Sequence, residues 1–122
     1  MDYETFIDQV EDNSDLWSRE KVEAVAQTTL EVLGETLTTS ERTWVSSRLP
    51  EPLDEAVTRT WGGQSFDMDE FEDRISHREG LVRDYAGEQA RLVCRVLVDH
   101  LDDEVLDYLR QHLPAPFSSL FE

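Results

Sequence analysis

The amino-acid sequence contains two copies of one pattern, and this duplication constrains the fold more than any other feature. The motif Phe-x-Asp-x-Val at residues 6–10 recurs in the second half as Phe-x-Asp-x-Ile at residues 71–75. The motif Leu-Pro-x-Pro-Leu at residues 49–53 recurs as Leu-Pro-x-Pro-Phe at residues 113–117. Most of the matching residues are apolar or proline, and such residues build a core. Self-similarity of this kind indicates two supersecondary units that stack on each other.

The apolar residues of both halves have a helical spacing. The first ones stand at i, i+3, i+4 and i+7, which places them on one face of a helix. They are Tyr3, Phe6, Ile7 and Val10. Two long helices are predicted at 19–37 and 83–101, and a third helix is predicted from about Thr39 to Leu49. Because proline lacks the amide that a helical turn needs, Pro50 is expected to end that third helix. The predicted fold class is therefore all-α.

The duplication and the helical spacing together predict two tandem four-helix repeats, related by pseudo-symmetry and packed as one helical bundle-like domain. The first repeat is placed at residues 1–57, a linker at 58–65 and the second repeat at 66–122. A unit of about 57 residues buries only roughly 60% of its unfolded surface. The two repeats are therefore expected to share a core and to form one structural domain.

Two expectations concern burial. Gly62 and Gly63 indicate a flexible joint inside the linker, and the neighbouring Trp61 is expected to pack over the seam between the repeats. The segment 92–98 is apolar on nearly every side except at Arg95. It is therefore expected to belong to the most buried helix.

The charge of the chain is its second strong signal. Asp and Glu number 28 against 11 Lys and Arg, so the net charge is −17, and Lys21 is the only lysine. This charge opposes compaction at low ionic strength but is largely screened in molar salt. A halophilic, high-salt cytoplasm is the expected environment, with an acidic protein of an ordinary cytoplasm as the alternative.

The same composition argues against several classes of partner. Nucleic-acid binding is not expected, because a phosphate-binding surface needs net positive charge, and anionic membranes would repel the chain. No apolar run is long enough to span a bilayer, and acidic residues interrupt any signal-peptide pattern at the N-terminus. The single cysteine, Cys94, excludes an internal disulfide. The cytoplasm is the expected location.

Three features occur in both halves and carry a family resemblance: an opening helix, a long second helix with Val-Leu near its end, and a Leu-Pro step before a short closing helix. The residues are Tyr3 to Phe6, Val32-Leu33 with Val96-Leu97, and Leu49-Pro50 with Leu113-Pro114. Together they resemble the prokaryotic family catalogued as domain of unknown function number 2267, over essentially the whole chain. The resemblance implies an all-helical fold with tandem halves, and it offers no catalytic residue to carry over. The acidity would suit a halophilic member.

No residue pattern predicts a catalytic, cofactor or metal site. The histidines are His77, His100 and His112, and none has the helical spacing that puts two metal ligands on one face. His100 with Asp103 and Glu104 is the nearest arrangement, but a helix junction there is the simpler interpretation. Clustered carboxylates at residues 99–103 could support stability through a metal. Cys94 is expected to fill the core as a small apolar residue.

Several charged residues have an expected structural use. Asp8 with Arg19, and Asp73 with Arg83, are predicted to form one cross-helix ion pair in each repeat. Glu88, Arg91 and Arg95 have the i, i+3 and i+7 spacing of an exposed salt-bridged helix face.

Two functions remain open from the sequence. The first is a non-catalytic scaffold or protein-interaction module, acting with another protein or with itself. It predicts an exposed apolar surface between the repeats, lined by Trp44, Trp61, Tyr108 or Phe117. The second is a small-molecule binder or minor enzyme with a polar pocket of at least ~300 Å³ between the repeats, for which His100, His112 and Cys94 would be the residues to inspect.

Overall fold

The structure, a computed structural model, describes all residues from Met1 to Glu122 and is all-helical. Eight α-helices are followed by one short 3₁₀-helix at Ser119–Phe121, and no strand is present. The predicted all-α fold class is confirmed. None of the helices is long and apolar enough to cross a membrane. The helices are α1 Tyr3–Asn13, α2 Arg19–Gly34, α3 Thr39–Ser46, α4 Leu53–Val57, α5 Met68–Glu79, α6 Arg83–His100, α7 Asp103–His112 and α8 Ala115–Ser118.

Side-chain caps explain where several helices begin. The Ser18 hydroxyl accepts a hydrogen bond from the Lys21 amide at 3.1 Å and starts α2. Asp67 caps α5 in the same way through the Glu70 amide at 2.9 Å. The reciprocal half of a capping box is absent there, because the Glu70 carboxylate accepts from Arg74 instead.

The core is one continuous cluster of 32 buried apolar residues drawn from every helix. The two long helices α2 and α6 contact each other, as expected. In addition, α2 packs against α1, α4 and α5, while α6 packs against α1, α5 and the 3₁₀-helix. The helices of the first and second halves therefore share their apolar faces, because α2 meets α5 and α1 meets α6.

Two predicted helix ends were placed too late. The second helix ends at Gly34 rather than at residue 37, and the third ends at Ser46 rather than at Leu49. In both places the chain continues in tighter turns, in which amides bond to the carbonyl three residues earlier, as in Leu37 N to Gly34 O at 3.1 Å. Apolar residues there continue the helical pattern without α-helical hydrogen bonds.

The most continuously buried segment lies at the end of α2, and the expectation for residues 92–98 was wrong. Every residue from 28 to 37 is buried, whereas Arg95 in α6 is exposed. The reason is that α4 and α5 both pack on α2, with Val57 of α4 against Gly34 and Arg78 of α5 bound to Glu31 and Glu35. Close approach of α4 requires glycine at position 34, since a Cβ there would lie 2.1 Å from the Val57 carbonyl oxygen.

The segment between the two halves is anchored and does not form the free joint that its glycines suggested. The Gly63 amide donates to the Leu37 carbonyl at 2.7 Å, and the Gln64 amide donates to the Glu35 carbonyl at 2.8 Å. The Arg42 guanidinium donates to the Thr60 carbonyl. The indole of Trp61 does not pack over a seam as expected, because its residue is 85% exposed.

Candidate functional site

Two of the helix contacts between the first and second halves of the chain, α2 with α5 and α1 with α6, differ in how their charged side chains are paired. In the pair formed by α2 and α5, the Glu35 carboxylate is 1% exposed. It accepts from Arg74 at 2.8 Å, from Arg78 at 2.7 Å and from the Thr60 hydroxyl at 2.5 Å. Burial alone would raise the pKa of this carboxyl, but the hydrogen bonds from the two arginines and Thr60 lower it below its ordinary value of 4.5.

The ion pairs extend along the whole α2–α5 contact. Glu31 accepts from Arg78 at 2.7 Å and from Arg59 at 3.3 Å. Near the other end of the contact, Lys21 pairs with Glu79 at 3.0 Å. We call this set, Lys21, Glu31, Glu35, Arg59, Arg74, Arg78 and Glu79, the charged seam.

Glu35 has no capacity left for acid–base chemistry. A general acid or base must exchange a proton near the working pH and must reach a substrate. Glu35 is held ionised, is closed off from solvent and already accepts from three side chains. Its arrangement is that of a buried charge stabilised by partners, and it positions α5 on α2.

The second pair, α1 with α6, leaves an open cleft of about 510 Å³. Its walls come from the end of α1, the loop after it and the exposed face of α6. Arg95 lies in this cleft and forms no ion pair and no hydrogen bond, unlike each of the other ten basic side chains. Gln89 also lines the cleft and has a buried Oε1 atom that accepts no hydrogen bond. We call this region the α1–α6 cleft.

The predicted interaction residues do not form one surface. Trp44 and Tyr108 are brought together, with their rings stacked at 3.9 Å between centroids. Phe117 lies in the core at 0% exposure against Phe66 and Phe71, so its expected place on a surface was wrong. Trp61 lies on the anchored linker and stacks on none of the other three rings.

The Trp44–Tyr108 stack continues on both sides. The Arg48 guanidinium lies 3.9 Å from the Trp44 ring centroid, and the His112 ring stacks on Tyr108 at 3.9 Å. His112 Nδ1 also lies 2.9 Å from the Glu41 carboxylate. The side chains of the stack, Arg48, Trp44, Tyr108 and His112, cover one another's ring faces. The stack therefore joins α3 to α7, and its rings are only partly exposed.

The residues proposed for a catalytic pocket are scattered. Cys94 is fully buried in α6, and burial raises the pKa of its thiol to about 12. His100 meets Gln9 at 2.6 Å at the end of α6, and His112 belongs to the aromatic stack. His77 contacts only the Asp73 carbonyl among polar groups, at 3.0 Å. His100, His112 and Cys94 therefore do not line one common pocket.

The carboxylate arrangements considered for a metal are not assembled either. No three His, Cys, Asp or Glu side chains come together in a way that could hold an ion, at residues 99–104 or elsewhere.

The predicted cross-helix ion pairs are confirmed. Arg19 binds Asp8 at 2.7 Å, and Arg83 lies 3.7 Å from Asp73. The predicted salt-bridged face on α6 was wrong, because Arg91 turns to Glu72 at 2.9 Å and leaves Glu88 without an arginine partner. Gly87 permits this contact, since a Cβ there would lie 2.4 Å from the Glu72 carboxylate.

Sequence reasoning missed the charged seam and two exposed residues. The seam had a visible signal: Glu31 and Glu35 stand at i and i+4 in an otherwise apolar stretch, and Arg74 and Arg78 have the same spacing. Two pairs of opposite charge with one spacing can align across a helix contact. The 70% exposure of Trp17 and the exposure of Val82 had no such signal.

Comparison with known proteins defines the family of this chain. A family model described as "Uncharacterized conserved protein (DUF2267)" matches residues 3–120. The chain belongs to this family, which carries no described activity. No curated protein matches the sequence.

Proposed function

We propose that the chain is a non-catalytic protein-interaction module that uses Trp61 as its main anchor. The observation that carries the proposal is the 85% exposure of this indole on a segment that is itself held in place. Tryptophan is highly buried on average, and it is enriched among the residues that dominate binding at protein interfaces. An exposed tryptophan with no packing role in the fold is therefore available to a partner.

The platform under Trp61 supports the same function. The chain on both sides is fixed through the Thr60 and Gly63 hydrogen bonds, and the Gln64 side chain donates to the Trp61 carbonyl at 2.8 Å. A side chain displayed from a fixed backbone loses less conformational entropy on binding than one on a mobile loop. The preorganised linker therefore favours a role for Trp61 in binding a partner.

The chemistry of the remaining residues also favours binding over catalysis. The most buried carboxylate is saturated by arginines, and the only thiol is sealed in the core. Neither group offers a reactive atom to a substrate. The aromatic stack of Trp44 and Tyr108 supports a secondary role as part of the interaction surface, through its exposed edges.

The architecture proposed for this module is a pair of tandem four-helix repeats, 1–57 and 66–122. Support comes from the helix order, because α1 to α4 and α5 to α8 each run from a short opening helix through a long one to two shorter ones. The confirmed Asp–Arg pairs connect the opening helix to the long helix in each half.

The proposed environment is a high-salt cytoplasm. Ten of the eleven basic side chains already have polar partners within the fold, so the surplus carboxylates remain to repel one another. Raising KCl from about 0.1 M to about 1 M shortens the Debye length from about 10 Å to about 3 Å. The thermal midpoint of the full chain, followed by circular dichroism, should rise over this range. An unchanged or falling midpoint would contradict the halophilic assignment.

The interaction function is tested with two tryptophan variants. Trp61→Ala and Trp17→Ala each remove one exposed indole, and neither residue belongs to the core. Immobilised wild-type protein and both variants are compared for retention of proteins from an extract of the source organism at high salt. Self-association is followed in parallel by sedimentation.

The expected result is that Trp61→Ala loses the retained protein or the self-association, while Trp17→Ala keeps it and both variants keep the wild-type circular dichroism. Equal behaviour of wild type and Trp61→Ala in both assays would exclude Trp61 as the anchor.

A further inference from the structure

We propose that the α1–α6 cleft is a binding site for a small zwitterion of the amino acid class, with the ligand's carboxylate on Arg95 and its ammonium group on Asp15. This site is separate from Trp61 and does not depend on the interaction function. The proposal rests on two unsatisfied groups of opposite character that line one cavity.

The first group is the Arg95 guanidinium. A protein with 28 carboxylates leaves this one cationic side chain without any polar partner. Arg95 lines both the main part of the cleft and its extension toward Asp99. A guanidinium presents a planar fork of donors that matches a carboxylate in two parallel hydrogen bonds. Arg95 is therefore the anion-binding end of the cleft.

The second group is the Asp15 carboxylate, which is held in place by Gln89. Gln89 is 6% exposed, and its Oε1 atom has no donor in the structure. The orientation of this amide follows from its other end, because Nε2 donates to Asp15 Oδ1 at 3.3 Å. With the amide reversed, Gln89 Oε1 would face Asp15 Oδ1, and the two acceptor oxygens would repel each other. Gln89 Nε2 therefore helps to fix the Asp15 carboxylate, while the buried Oε1 atom is closed to a ligand in the cleft.

Asp15 completes the cation-binding end. The Tyr85 hydroxyl donates to its Oδ1 at 2.6 Å, in addition to the bond from Gln89. Its second oxygen, Oδ2, accepts from no side chain of the protein. Asp12 and Glu88 also line this part of the cleft and add negative charge. The cavity therefore offers one cationic end and one anionic end, a pattern that fits a dipolar ligand better than a simple anion.

At the α2–α5 contact, the position that corresponds to Arg95 is occupied by a residue that forms ion pairs. In the proposed repeat, Glu31 of the first half corresponds to Arg95 of the second, and Glu31 is fully paired with Arg78 and Arg59. Arg95, in contrast, pairs with none of the carboxylates that line the cleft with it.

The test uses amide chemical shifts of the ¹⁵N-labelled full chain, in KCl that keeps it folded. The probes are glycine, 4-aminobutanoate and 6-aminohexanoate, which differ in the distance between their charges. Butanoate and butylamine are the singly charged controls. At least one amino acid should produce saturable shifts confined to residues 12–15 and 88–95.

Variants assign the two ends of the site. Arg95→Gln should weaken binding of that amino acid by about tenfold or more, the effect of losing a charge-assisted hydrogen bond. Arg110→Gln is the matched control, because Arg110 lies on α7 and bonds to the Phe121 carbonyl outside the cleft. Asp15→Asn should reduce the preference for the amino acid over butanoate.

Three results would overturn the proposal. They are the absence of saturable shifts with every amino acid at millimolar concentration, unchanged affinity in Arg95→Gln, and binding of butanoate as tightly as the zwitterion of equal length. None of these results bears on Trp61, so this proposal and the interaction function can fail separately.

Discussion

The α2–α5 contact and the α1–α6 contact join the same two halves of the chain, yet one is closed by ion pairs and the other is open. At the charged seam, Glu35 is shielded from water and held by two arginines. At the α1–α6 cleft, Arg95 is exposed and free. The difference shows that the buried carboxylate at the α2–α5 contact is fully paired, whereas one exposed arginine at the α1–α6 contact is not.

A few side chains account for the contrast. Arg74 and Arg78 on α5 are long enough to cross to α2, whereas Gln9 and Asn13, which hold the corresponding positions on α1 in the proposed repeat, are shorter. Gln9 reaches only the end of α6, where it bonds to Asp99 at 3.3 Å. Shorter side chains leave the space that forms the cleft. A change of side-chain length at two positions therefore separates a structural contact from a candidate binding site.

The largest expected effect comes from neutralising the buried carboxylate. Glu35→Gln leaves two arginines facing a neutral group and should lower the free energy of unfolding by about 3–5 kcal/mol. Urea denaturation at constant KCl measures this loss. The control is Asp99→Asn at the corresponding position of α6, where a change within about 0.5 kcal/mol is expected. Equal losses in the two variants would remove the distinction between the contacts.

A somewhat smaller effect is expected from filling the glycine under α4. In Gly34→Ala the new methyl group would meet the backbone oxygen of Val57, which cannot move without shifting α4, and the cost should be about 1–3 kcal/mol. Gly87→Ala on α6 is the comparison, because the atoms nearest to its Cβ would be the ends of the Glu72 and Arg91 side chains. Thermal unfolding should rank Gly34→Ala as the less stable variant, and the reverse order would contradict this account of the close α2–α4 approach.

The acid dependence of stability sharpens the same comparison. The pKa of Glu35 is lowered in the fold, so its contribution to stability is complete above its ordinary pKa of 4.5 and is lost as the pH falls through the lower folded value. The difference in stability between wild type and Glu35→Gln should therefore be constant near neutral pH and shrink below about pH 4.5. Urea midpoints measured from neutral to acid pH test this, and a difference that grows in acid would show the sign to be wrong.

The smallest expected effect concerns Arg95. Because this side chain has no partner, Arg95→Gln should change the free energy of unfolding by no more than about 0.5 kcal/mol. Arg78→Gln, which removes a partner of both Glu31 and Glu35, should cost about 1.5–3 kcal/mol in the same urea experiment. A large loss of unfolding free energy in Arg95→Gln would mean that Arg95 stabilises the fold and is not free to bind a ligand.

Local features of the fold could be predicted from the sequence. The stripe of α1, the start of α2 at Arg19 and the pair of Asp8 with Arg19 each depend on residues close together along the chain, and each is present. The helix ends at Gly34 and Ser46 were missed, because the apolar pattern continues there through tighter turns.

The candidate sites could be predicted only in part. Trp61 was recognised as a potential contact, but its exposure depends on what packs beside it. Nothing near Gln89 in the sequence indicates that its amide oxygen is orphaned. Arg95 and Arg78 look alike as exposed helical arginines, and only the helix that faces each one distinguishes them.

The sequence by itself determined the helices, the residues that form their apolar faces and the excess of negative charge, since these follow from residue type and from helical periodicity. The tertiary structure decided which charges are buried and paired, where a cleft remains and which tryptophan meets solvent. The physical reason is that an ion pair or a cavity depends on short distances between residues far apart in the chain. Glu35 and Arg74 belong to different halves of the sequence, and they meet at 2.8 Å only because α5 lies on α2.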